Sequence, residues 1–144
     1  MNKLVKGIFR FLIQIAVIVI LIVVVNVFIN GMYLLGLPNL SDIQSASISY
    51  PSVTEDIKEV SSPEDIELAL KLTGFLKYNL FEKSDTVEKP LITMTYHLKD
   101  GTDKTISANN TTVWWNDKSY TIKEKEMFIN LTEGIFFLED SQTR

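Results

Sequence analysis

Chemistry in this 144-residue chain would have to come from one histidine, a few grouped carboxylates and a pair of adjacent tryptophans. His97 is the sole histidine, so no histidine pair is available for a metal. It falls on the polar side of an alternating stretch, Ile92 to Leu98, and a general base there would need a positioned partner. The sequence names none. Glu64, Asp65 and Glu67 could pair as glycosidase carboxylates, yet acids in a first helical turn are already accounted for by the helix dipole. Asp100-Gly101-Thr102-Asp103 has the look of a calcium loop's opening, but the spaced oxygen ligands and closing Glu are missing, and Asp-Gly reads as a hairpin turn. No nucleophile elbow, P-loop, zinc-protease motif or dinucleotide fingerprint occurs. The chain has no cysteine, which removes thiol chemistry and any disulfide framework. The expectation is therefore no catalytic residue, no metal and no cofactor.

Trp114, Trp115 and Tyr120 form the best candidate for a binding patch. Adjacent strand residues face opposite ways, so one indole should be buried and the other should lie outside. Cross-strand pairing should set the outer one near Tyr120. Such a patch suits a protein, peptide or glycan partner; aromatic pairing that only stabilises the sheet is the competing account.

The element that positions everything else is apolar. From Phe11 to Val25 the run is broken only by Gln14, with no Gly or Pro. A hydrocarbon core of about 30 Å takes roughly 20 apolar residues, and residues 8–30 supply them. Val and Ile are poor helix formers in water, but in lipid the backbone must satisfy itself internally. Lys3, Lys6 and Arg10 precede the run and no Lys or Arg follows until Lys58, which predicts a cytoplasmic N-terminus and an outer C-terminal domain in the cell membrane. A cleaved signal would have a shorter apolar region and a small-residue cleavage site. The reading is an uncleaved, single-pass anchor in contact with the lipid bilayer through residues 8–30.

Residues 1–7 are then a cytoplasmic N-terminus, 31–45 a juxtamembrane linker, 46–138 one small domain, and 139–144 a frayed polar tail. All eighteen acidic residues follow Ser41, whereas three of the fourteen basic ones precede it, leaving −7 beyond the anchor. That balance argues against binding nucleic acid or anionic lipid through a basic patch. A cysteine-free outer domain is ordinary in Gram-positive bacteria, the source expected here.

Within the domain, Ala46 to Tyr50 alternates as a strand and Ser52 to Glu59 reads as loop. Ser61-Ser62-Pro63-Glu64-Asp65 opens a helix, with a Ser cap and Pro at the first position. Ile66, Ala69, Leu70, Thr73, Leu76 and Leu80 carry it onward at helical spacing, and Glu82 to Lys89 follows as charged loop. Ile92 to Leu98, Thr105 to Ser107, Thr112 to Trp115 and Ser119 to Lys123 make a four-stranded meander. Glu124 to Leu138 closes the domain as a helix. The predicted fold class is α+β: a transmembrane helix, then a mostly antiparallel sheet in strand, helix, four-strand meander, helix order.

Tyr96-His97-Leu98-Lys99-Asp100-Gly101, followed by Trp115 to Ile122, is similar to small extracytoplasmic domains of unknown function carried by membrane-anchored proteins of Firmicutes. The resemblance spans roughly Ser47 to Phe137 and implies an α+β fold with a membrane-proximal accessory role; it carries over no catalytic residue. Those families often attach lipid through a cysteine, where this chain has a helix. The expected function is non-enzymatic contact with a membrane or extracellular protein or peptide, as an accessory, sensor or immunity-type protein. A cell-wall enzyme using Asp or Glu, and a structural spacer in a membrane complex, are the alternatives.

Overall fold

The computed structural model describes residues 2–138. Helix α1 spans Lys3–Asn30, and every one of its side chains but Val27 is exposed. Its 28 residues are long and apolar enough to cross a membrane. It ends at Asn30, the last residue of the expected span 8–30, and Gly31 follows it. Gly31 has φ +76°, and a Cβ there would stand 3.0 Å from the Tyr78 carbonyl oxygen and 3.2 Å from Lys123 Cβ. Only glycine allows both that backbone and that approach.

The remaining strands are β1 Met32–Tyr33, β2 Ile43–Ser49, β3 Lys58–Val60, β4 Lys77–Lys83, β5 Ile92–Leu98, β6 Asp103–Ala108, β7 Thr112–Trp115 and β8 Lys118–Ile122. They form one antiparallel sheet in the order β1-β4-β8-β7-β6-β5-β2-β3. Helices α2 Pro63–Phe75 and α3 Met127–Phe136 join the core on one face. The domain is α+β, with the β5 to β8 meander at its centre.

Local grammar explains the meander. Ile92, Met94 and Tyr96 are buried while Thr93, Thr95 and His97 are half-exposed. Gly101 turns β5 into β6 at φ +85°. Asn116 and Asp117, at φ 50° and 60°, make the two-residue turn between Trp115 and Lys118, the mirror-image geometry that matches strand twist. Ser62 caps α2, its Oγ accepting from the Asp65 N–H at 3.2 Å and donating to the Asp65 carboxylate at 2.8 Å.

Four expectations give way. Residues 31–45 are not a linker: β1 pairs with β4, Leu34 is in the core, and β2 begins at Ile43. The supposed loop up to Glu59 ends in β3. Helix α2 stops at Phe75, and the stretch assigned to its end is β4. Leu76, Tyr78 and Leu80 fit a strand's alternation as well as Leu76 and Leu80 fit a helical spacing, and burial of Leu76 and Tyr78 in the core decides between the two. Finally, Glu126 at φ 67° prevents the last helix from starting at Glu124. The tail from 139 lies outside the described residues.

Candidate functional site

Because β2, β5, β6 and β7 alternate, their non-core residues share the second face of the sheet. Ser45, Ser47, Ser49, Thr93, Thr95, His97, Thr105, Ser107 and Trp114 stand there, half-buried to exposed. Hydroxyl pairs lock the face across strands: Thr93 with Ser107 at 3.0 Å and Thr95 with Thr105 at 3.1 Å. Both α2 and α3 contribute their buried side chains to the opposite face.

The register separates the aromatic candidates. Tyr120 lies opposite Val113, and Trp114 opposite Ser119. Tyr120 therefore shares the core face with Trp115, not the outer face with Trp114, which corrects the expected pairing. Trp115 is only 5% exposed, and its indole N–H donates to the Leu35 carbonyl at 3.0 Å, fastening the chain as it leaves α1. Tyr120 packs on Tyr78 with ring centroids 4.5 Å apart. Burial, helped by the neighbouring Tyr120, pushes the Tyr78 phenol up. Trp114 alone is half-exposed on the hydroxyl-rich face, in a shallow depression walled by Thr105, Ser107, Asn116 and Lys118. One face thus holds one of the three residues, and the proposed patch does not assemble.

His97 gains partners that the sequence did not reveal. Its Nδ1 lies 2.8 Å from Asp103 Oδ1 and its Nε2 lies 3.1 Å from Ser47 Oγ. A carboxylate only accepts, so Nδ1 carries the hydrogen in neutral imidazole and Nε2 accepts the Ser47 hydroxyl. Strand pairing creates this chain: Asp103 faces His97 across the β5–β6 hairpin, and β2 brings Ser47 alongside β5. The Asp-Gly turn was a signal for the first contact, since a hairpin fixes its own cross-strand pairs. Nothing local signalled Ser47, fifty positions away.

Two of the other carboxylates have structural occupations. Asp100 accepts from Thr102 N–H at 2.9 Å and Thr102 Oγ1 at 2.7 Å, bonds that hold its carboxyl below the usual range. Glu67 pairs with Lys71 one turn along α2. Among the described residues no group of three or more His, Asp or Glu could hold a metal ion. No protein-family model, curated protein or solved structure matches the chain.

Proposed function

We propose that the chain is a single-pass membrane protein, N-terminus in the cytoplasm, that holds a small acidic domain outside the cell and acts by contact with a protein or peptide. The observation that carries this reading is the outer sheet face: hydroxyl-lined, uncovered by either domain helix, and bearing a half-exposed Trp114. Rigid aromatic residues on an accessible polar surface are the usual anchors of such contacts. An accessory or immunity-type role in the manner of Firmicutes outer domains fits this arrangement. The test is a photo-crosslinking residue at position 114 in intact cells, with a second at Leu68 on α2 as control. A defined adduct at 114, absent at 68 and lost on Ser107→Arg, supports the reading. Equal or no capture at both positions sinks it.

The Ser47–His97–Asp103 chain favours a second reading, hydrolysis of carboxylic esters that reach the polar face. Ser47 Oγ would bond to the carbonyl carbon as His97 takes its proton; His97 would then pass that proton to the departing alcohol. Water would release the acid by the same route and restore Ser47. Backbone amides of β2 lie in the sheet plane between β3 and β5, so side-chain hydroxyls would have to stabilise the oxyanion. A fluorophosphonate that labels the native chain but not Ser47→Ala or His97→Gln supports this chemistry. Equal labelling, or none, removes it.

A further inference from the structure

Strand β4 leaves its ladder immediately beside the end of α1. Tyr78 pairs with Ile122 and Lys83 with Tyr120, so four residues of β4 oppose a single residue of β8. The stretch Asn79-Leu80-Phe81-Glu82 bulges from the ladder. Its polar shoulders are tied together, Asn79 Nδ2 donating to Glu82 Oε2 at 3.1 Å, and its tip carries Leu80, 38% exposed, and Phe81, 60% exposed. Two apolar side chains in water cost free energy for as long as nothing covers them. Phe81 packs against Phe28 of the last turn of α1, ring centroids 6.4 Å apart, in a pocket that Val27 and Lys123 also line.

Depth follows from this contact. If Arg10 marks the inner boundary of the hydrocarbon, roughly 20 helical residues later the chain reaches the outer one, close to Asn30. Phe28 then sits just inside that boundary, and Phe81, touching it, cannot be more than about one helical turn away in depth. The Lys123 Cβ and Cγ stand against Gly31 at the end of α1, and Tyr33 has Lys77 over its ring at 4.9 Å, an amphipathic pair of the kind that sits at a headgroup level.

We infer that the β4 bulge is a second membrane contact, with Leu80 and Phe81 seated in the phospholipid interface beside α1. This rests on the membrane reading of α1. Anchor and bulge together fix the tilt of the domain, because Gly31 joins them without a flexible spacer and β1 pairs at once with β4.

The absence of native cysteine makes single labels unambiguous. Full-length Phe28→Cys, Phe81→Cys and Val87→Cys chains, each carrying an environment-sensitive fluorophore, are reconstituted in phosphatidylcholine–phosphatidylglycerol vesicles with lipids bearing a shallow nitroxide. Val87, 99% exposed in the loop after β4, is the aqueous control. Strong quenching at 28 and 81, at least about twofold above that at 87, is the expected result. Quenching at 28 with position 81 matching 87 overturns the bulge contact while leaving the anchor intact. No quenching at 28 overturns the anchor itself. Disulfide formation between two unlabelled Phe81→Cys chains, with no quenching of the labelled ones, assigns the bulge to a second copy and equally ends the proposal. Circular dichroism matching the native chain confirms that each labelled variant is folded.

Discussion

Trp114 and Trp115 are neighbours in sequence with opposite duties, and substitutions should separate them. Removing Trp115 opens a core cavity and orphans the Leu35 carbonyl it satisfies, so Trp115→Ala should cost about 3–5 kcal/mol. Trp114→Ala should cost about 1 kcal/mol or less. Denaturant titration of the two variants reads the difference; similar losses would mean that Trp114 is packing, not surface. Tyr96 offers a pH test. Its ring is fully buried, its hydroxyl is 3.0 Å from Thr73 Oγ1, and burial drives its phenol well above the ordinary value. The folded chain therefore holds that proton more tightly than the unfolded one, whose phenol titrates near ~10. The associated stability is complete below pH ~10 and drains away as pH climbs toward the raised folded value. Between about pH 8 and 11 the native melting temperature should fall more steeply than that of Tyr96→Phe. Parallel curves would show that the phenol does not govern alkaline unfolding.

Elements differ in how plainly they are written. The strand Ile92–Leu98, the turns at Gly101 and Asn116-Asp117, and the Ser62 cap each rest on a few adjacent residues, and each is where the sequence puts it. By contrast β1, β3 and most of β4 are edge strands whose identity comes from a partner. Met32-Tyr33 is a strand only because Tyr78 and Lys77 lie beside it. The same limit applies to the His97 chain, whose Ser47 arrives by register and not by spacing. Gly31 is the element-scale consequence most open to test. Gly31→Ala forces a positive φ on a side chain that also meets Tyr78 and Lys123, at a cost of roughly 1–3 kcal/mol. The strain falls on the junction, so hydrogen exchange should quicken at Met32 and Tyr33 while β5 and β6 keep their protection. Uniform loss across the sheet, or none, would show that the junction is not a separate unit.

On the scale of the whole molecule, charge divides unevenly about the apolar helix. Three basic residues stand in the first eight positions of the apolar helix, and the balance of −7 follows it. The domain stands directly on the helix end, through Gly31, the β1–β4 pairing and the Phe28–Phe81 contact, so the side of the membrane that receives residue 87 receives the entire sheet. In the proposed orientation, which follows the positive-inside bias, that side is the exterior. A membrane-impermeant maleimide added to intact cells should therefore label Val87→Cys and spare Asn2→Cys until the cells are opened. Both positions are exposed in the fold, so reactivity reports the membrane and not local burial. Labelling at 2 with protection at 87 would reverse the orientation and turn Trp114 and its hydroxyl face toward the cytoplasm. A mature chain that starts beyond Gly31 would free the domain from the bilayer, and Leu80 and Phe81 would then need some cover other than lipid.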